Sequence, residues 1–374
     1  MVQNYGAAMA DQDVVLIQAP TLADFVTEIF EHVGCSSEES RRIADNLVEA
    51  NLTGHDSHGV IRTGRYVDWL NNGIQVRDQT LEVLIDQSTL MLVDGGYGMG
   101  QTVGPLAVQT GIERAAEHGL AIVALRKAGH LGRIGAFAEQ AAAAGLVSMH
   151  VVNVASSQLV APFGSRDRRM GTNPYAFGVP RPDGPPVIHD FATSIVAEGK
   201  TMVALHGGPA VPANALVGPE GVTGDPAVLY SFEPGERPNS NGGPGALRAM
   251  GEHKGSGLSV MCELLAGALT GTGTSGPGEV RFANGMLSIY IDPAHIDPDN
   301  TFATTVTSYI DWFLDATPLD PNNPVRLPGD RERERRAERE ANGLGLPADL
   351  WQSIVTAARV AGVPAERIDQ ATNS

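Results

Sequence analysis

Between residues 81 and 153 the chain alternates short apolar runs with stretches of helical spacing, and this alternation restricts the fold more than any other feature. LEVLID (81–86) and TLMLVD (89–94) have strand length and are separated by a small polar turn. A glycine-rich loop, GGYGMGQTVG (95–104), leads into a predicted helix from about Pro105 to His118. AIVALR (121–126) reads as a strand, residues 136–144 as a helix and LVSMHVVN (146–153) as a strand. The order is βαβ-like and predicts an α/β protein. With 42% hydrophobic residues but only 5% aromatics, the core must be filled largely by Ala, Val and Leu. At 374 residues, the chain has room for one large or two ordinary domains.

The flanks read differently. Phe25, Ile29 and Val33 recur every four residues behind Thr21, a candidate cap, and Gly34 stops that helix. Ser36 and Glu39 have capping-box spacing ahead of Ile43, Leu47 and Ala50. A third helix is expected from about Ser57 to Leu70. Farther on, a strand ends at Asp190, residues 205–224 and 231–245 read as long loops, and 257–271 as an apolar helix. Residues 284–293 form a strand, and a last helix runs from about Ala348 to Ala361. The charged helix at 329–343 places Glu332 and Arg336 one turn apart and reads as a solvated face.

A net charge of −17 argues against nucleic acid, whose phosphates need clustered Lys and Arg. Cys35 and Cys262 alone make neither a disulfide framework nor a thiolate zinc site, and suit a reducing compartment. The N-terminus lacks a basic region followed by an apolar stretch. No apolar stretch reaches the roughly 18–20 residues that a membrane span needs. The expectation is a cytoplasmic protein acting on a small molecule.

Polar chemistry concentrates in GHDSHGVIRTGRY (54–66). On a helix His58 and Arg62 would share a face, with Tyr66 a turn beyond. Arginine offers a planar fork to a carboxylate, histidine exchanges protons near neutrality, and Ser57 could bond the imidazole. A surface cap with a solvent-facing His and Arg is the bland alternative. His55 and His58 lack a nearby third ligand, so no metal site is expected. His130 stands in a Gly-flanked loop before a helix whose first turn could receive an anion. The shared helix face favours His58 over His130 as proton donor. Gly98, Gly100 and Gly104 imitate a dinucleotide fingerprint, but as GxGxxxG rather than GxGxxG. Arg126-Lys127 at the end of the next strand could then meet a 2′-phosphate.

The segments GHDSHGVIR (54–62), GHLGRIGAFA (129–138), APFGS (161–165), GTNPYAFGVP (171–180), DFATSIVAEGK (190–200), HKGSGL (253–258), NGMLSIYIDP (284–293) and PGDRE (328–332) resemble, in this order, the malate/L-lactate dehydrogenase family that is unrelated to Rossmann-type lactate dehydrogenases. That family includes sulfolactate and ureidoglycolate dehydrogenases, a diketogulonate reductase and a piperideine-carboxylate reductase. The resemblance implies a mixed sheet with flanking helices and an inserted cofactor domain. Residues 1–125 would form the helical and substrate part, 126–290 the cofactor part, and 291–374 a segment returning to the core. It further implies NAD(P)-dependent interconversion of a 2-oxo acid and a 2-hydroxy acid, usually by a homodimer, with NAD favoured over NADP. His58, beside Ser57, or else His130 would move the proton. Arg62 and Thr172 would bind the substrate. Asp190, Phe191, Ala192, Lys254, Pro328, Gly329 and Asp330 would line the cofactor site.

Two departures stand out. Imine-reducing members carry Asp where this chain has Lys200, which lowers the odds of imine reduction. HKGYGL is usual where this chain reads HKGSGL, so Ser256 replaces an aromatic. The stretch 231–244 looks inserted. An imine or diketo-acid reductase, or a ligand-binding relative without turnover, are the alternatives.

Overall fold

A computed structural model describes residues 14–205, 208–232, 239–240, 242–276 and 281–373; part of the 231–244 stretch lies outside them. The chain opens with strand β1 (Val14–Ile17) and helix α1 (Ala19–His32), which buries Leu22, Phe25, Val26, Ile29 and Phe30. This helix begins two residues before Thr21, the expected cap, with Pro20 in its first turn, where a missing N–H costs nothing. Ser36 does cap α2 (Ser37–Leu52), its Oγ accepting from the Glu39 N–H at 3.2 Å. Glu39 does not complete the box. Its carboxylate accepts instead from Asp78 N (2.7 Å) and Thr102 Oγ1 (2.9 Å).

The helix expected over 57–70 is broken. Two 3₁₀ turns, Asp56–His58 and Val60–Arg62, precede α3 (Thr63–Asn71). The break is tertiary in origin. Gly59 is extended (ψ −154°), and Asn51 Oδ1 accepts from Val60 N at 2.8 Å. A Cβ on residue 59 would lie 2.1 Å from that oxygen. His58 and Arg62 therefore sit on successive turns rather than on one helix face.

Strands β2 (Glu82–Gln87) and β3 (Leu90–Asp94) lead to α4 (Gly100–His118), β4 (Leu120–Ala128), α5 (Gly135–Ala143) and β5 (Val147–Ala155). Pro105 lies inside α4 rather than in its first turn, because that helix begins at Gly100. The short β6 (Val160–Ala161) precedes β7 (Pro174–Val179), β8 (Val187–Ala192) and α6 (Glu198–Leu205). The region 205–224 is not all loop: it contains the hairpin of β9 (Leu216–Gly218) and β10 (Gly221–Thr223), followed later by β11 (Ala246–Arg248). Helix α7 (His253–Cys262) continues as π-helical turns over Glu263–Ala268, so the expected apolar helix begins four residues early. The chain closes with β12 (Ala283–Ile291), α8 (Phe302–Leu314), α9 (Asp330–Asn342), β13 (Leu344–Pro347), α10 (Ala348–Ala361) and α11 (Ala365–Asn373).

The central sheet has the order β2-β3-β4-β12-β5-β7-β8, with β3–β4 its one parallel pair. A smaller sheet runs β10-β9-β11-β6. The antiparallel pair β1–β13 ties the two ends of the chain together. One core joins α1, α2 and α3 to α10 and α11 through Leu22, Ile43, Tyr66 and Trp351. A second lies between the central sheet and α4–α5, and a third under the smaller sheet.

The glycine-rich loop between β3 and α4 is closed by the protein itself. Gly95 N donates to Arg126 O (2.9 Å), Tyr97 N to Lys127 O (2.7 Å) and Gly129 N to Gly98 O (2.7 Å). Arg126 Nε and Lys127 Nζ both pair with Asp94, at 2.7 and 3.2 Å. A Cβ on Gly100 would stand 2.2 Å from the His130 carbonyl oxygen, and one on Gly104 2.6 Å from the Phe137 ring. These glycines serve backbone packing. Gly100→Ala should therefore cost about 1–3 kcal/mol of stability and shift His130, with dinucleotide affinity in the folded variant unchanged. Denaturant melts and cofactor titration check this.

The charged helix α9 is more than a solvated face. The expected Glu332–Arg336 pair is absent: Glu332 meets His55 at 3.4 Å, and Arg336 meets Glu49 and, at 3.3 Å, Glu340. Arg339 pairs with Asp56 at 2.7 Å and bonds Asn51 O. α9 thus clamps the segment 49–56 that enters the polar cluster.

Candidate active site

The 3₁₀ turns, α3 and the loop after β4 bring His58, Arg62, Tyr66 and His130 together. The imidazoles of His58 and His130 stack, 5.6 Å between centroids and 5° from parallel. Ser57 Oγ lies 3.1 Å from His58 Nδ1. Tyr66 Oη lies 2.6 Å from His130 Nδ1. Gln101, at the start of α4, donates from Nε2 to both Tyr66 Oη (3.2 Å) and the His130 carbonyl (3.0 Å). Arg62 Nε donates to the Ser57 carbonyl at 2.6 Å. Its two terminal nitrogens have no hydrogen-bond partner among the described residues, and so present a free fork.

Electrostatics follow from enclosure among cations. Burial, reinforced by Arg62, His55 and Arg133, pushes His58 down to about 3. Burial and Arg62 likewise hold His130 well below the ordinary imidazole range. Both rings are thereby biased toward the neutral form in the free protein. Burial pushes the Tyr66 hydroxyl up to about 12, with Arg62 opposing. A bound carboxylate would offset the cations but not the burial, which is the larger cause of both shifts.

The helix start after His130 does not await an exogenous anion, because Asp190 Oδ2 already accepts from Gly135 N at 2.8 Å. Burial raises the Asp190 pKa, with His55 and the Gly135 N–H opposing. Asp190 lines a cavity of about 480 Å³ together with Pro328, Gly329, Arg326 and Arg331. The 328–329 turn is held to β8 by Ile188 N donating to Pro328 O at 3.2 Å. Asp330 is not in that lining; it turns back to accept from Leu327 N at 2.6 Å. Phe191 points to the other side of β8, stacked against Tyr175 and close to His189. Ala192 ends the strand opposite Pro174.

Lys254 is exposed in the first turn of α7, two residues beyond Glu252, which lines a separate cavity of about 520 Å³ with Phe163, Arg166 and Arg248. Thr172 engages through its carbonyl, which accepts from Thr193 N and Oγ1 at 3.0 Å. No described hydrogen bond or ring contact joins it to the histidines.

Sequence reasoning passed over three neighbours. Gln101 sits inside the glycine-rich decoy, where only its burial next to a loop distant in sequence reveals it. Phe282 lies 6.4 Å from His130 and 4.5 Å from Trp69, ring to ring, and walls the pair. Gly199 packs on Ser57, where a Cβ would come within 2.8 Å. Gly199 closes the DFATSIVAEGK segment just before Lys200, and its place in that matched segment was the available sign of the contact.

Comparisons with known proteins agree over nearly the whole chain. The family described as malate/L-lactate dehydrogenase matches residues 17–355. Hydroxycarboxylate dehydrogenase B of Escherichia coli (strain K12) is 40% identical over 357 residues, 94% of this chain and 95% of its own. L-lactate dehydrogenase of Cupriavidus necator is 36% identical over 319 residues, 83% of this chain and 88% of its own. A dehydrogenase from Sinorhizobium meliloti has a similar solved structure, with a TM-score of 0.82 and 31% identity over 93% of this chain and 99% of that one.

Proposed function

The chain belongs to the malate/L-lactate dehydrogenase family, and from that premise we propose that it interconverts a 2-oxo acid and a 2-hydroxy acid by hydride transfer with NAD(P). The observation that carries this reading is the free fork of Arg62 beside the stacked His58 and His130. A carboxylate on Arg62 would be held by two parallel charge-assisted bonds, which orient the neighbouring carbonyl toward the imidazoles. His130 is the proton-transferring group in this reading. The case for His58 rested on a shared helix face with Arg62, which the extended Gly59 removes, and on Ser57 beside its ring, which is in place. His58, steadied by Ser57, packs against His130 and fixes its plane. Thr172 completes the substrate side.

The residues around Asp190 suit a nicotinamide dinucleotide. Asp190 can accept ribose hydroxyls, while Arg331 and the Gly329 N–H can meet phosphates; Lys254, beside the separate cavity, enters this reading through the family resemblance alone. When bound, the cofactor supplies the hydride. The Asp190 carboxylate disfavours a 2′-phosphate close by, which supports NAD over NADP. Phe191, Ala192 and Asp330 hold the strand and turn that carry this wall. In this reading residues 126–290 carry most of the cofactor wall, which Pro328, Gly329 and Arg331 complete from the segment 291–374, while His130 and Thr172 reach the substrate held by residues 1–125.

The same reading includes a homodimer, with a second copy covering the exposed Val260, Met261, Leu264 and Leu269 beside the sheet. It also includes a cytoplasmic setting, which suits two buried, free thiols.

Oxidation of NADH and of NADPH, each with a panel of 2-oxo acids and a cyclic imine carboxylate, tests the reading. Turnover with at least one 2-oxo acid, faster with NADH, is expected. No turnover with any 2-oxo acid would sink it.

A further inference from the structure

We propose that the proton delivered to substrate originates at Tyr66 and passes through His130, with Gln101 setting the direction of the chain; this rests on the proposed reaction. The direction follows from hydrogen-bond chemistry. The His130 carbonyl can only accept, so the Gln101 atom 3.0 Å from it is the amide nitrogen. The second hydrogen of that nitrogen points to Tyr66 Oη, 3.2 Å away. Tyr66 therefore turns its own hydrogen to His130 Nδ1, at 2.6 Å. A neutral imidazole has one N–H, so His130 carries its hydrogen on Nε2, the nitrogen left to face a substrate.

This arrangement answers a difficulty in the site. Arg62 and burial disfavour a histidinium at either His58 or His130, yet the reduction consumes a proton. Hydride adds to C2 of the oxo acid, and the carbonyl π electrons move to its oxygen. That oxygen takes the Nε2 proton of His130, while the Nδ1 lone pair takes the Tyr66 hydroxyl proton. The imidazole stays neutral, and the negative charge comes to rest on Tyr66 Oη. There the Gln101 N–H holds it and Arg62 and Arg65 stabilise it, until, after product leaves, a proton from the substrate side enters at His130 Nε2 and the Nδ1 proton passes back to Tyr66. An alkoxide is a stronger base than a phenolate, even one buried as Tyr66 is. Tyr66 and Gln101 do not touch substrate in this scheme; they are positioning residues acting through His130.

Two readouts test the chain. Long-range proton–nitrogen NMR correlations of the imidazoles, with His130 assigned by its loss in His130→Asn, report which nitrogen is protonated. The wild-type protein should show the Nε2–H form. Tyr66→Phe should shift His130 toward Nδ1–H and lower kcat by at least ~10²-fold, with KM within about threefold. Gln101→Met, which keeps the hydroxyl but frees its rotation, should lower kcat less than Tyr66→Phe does and give a mixed tautomer signal. A wild-type Nδ1–H form would overturn the proposal. So would a Tyr66→Phe enzyme with kcat within threefold of wild type. If the wild-type protein reduced no 2-oxo acid, the proposed function would fall, and the wild-type tautomer signal alone would decide the direction of the chain.

Discussion

His130→Asn should lower kcat for 2-oxo-acid reduction by ~10²–10⁴-fold, the usual contribution of a positioned acid, while cofactor affinity stays near that of the wild type. The expectation rests on anchoring. His130 is fixed at both ends, through its ring by Tyr66 at 2.6 Å and through its carbonyl by Gln101 at 3.0 Å. Among the described residues His58 has one side-chain hydrogen-bond partner, a rotatable serine hydroxyl at 3.1 Å. His58→Asn should thus act mainly on binding and on the packing of the facing ring. Single-turnover rates at saturating cofactor separate the two effects. A chemical loss in His58→Asn with only a binding loss in His130→Asn would reverse the assignment.

Arg62→Lys should raise KM for the acid at least tenfold, about 1.4 kcal/mol of binding. Lysine keeps the charge but has neither the planar fork nor an Nε. The variant therefore loses two contacts: the parallel bonds to the carboxylate and the 2.6 Å bond to the Ser57 carbonyl, which holds the 3₁₀ turn under His58. Steady-state kinetics with the best acid of the panel measure it. Unchanged KM and kcat would remove Arg62 from the site.

The sequence made the central sheet legible except for β7, because the other strands are apolar runs of ordinary length, whereas β7 opens on Pro174 within a polar Thr172-Asn173-Pro174 turn. The smaller sheet was not legible: β9, β10 and β11 are three residues each, too short for any periodicity to register. The break at Gly59 was hidden for another reason. It depends on Asn51, a side chain from the previous helix whose Oδ1 takes the place of a Cβ. His58, Arg62 and His130 were legible by residue type and local motif, but the stacking of the histidines and the Gln101–Tyr66–His130 chain join positions as far apart as 58 and 130. The GxGxxxG loop is the converse case, an imitation that its spacing already set apart. Its glycines are explained by what is pressed against them: the Gln79 side chain at Gly98, the His130 carbonyl at Gly100 and the Phe137 ring at Gly104.

The central claim is that hydride passes from a nicotinamide to C2 of a carboxylate-bearing substrate. Reduced cofactor deuterated at both C4 positions, incubated with the protein and its preferred 2-oxo acid, tests it directly by mass spectrometry of the product. One deuterium on C2 of the 2-hydroxy acid is predicted. A product without deuterium at C2 would contradict the account.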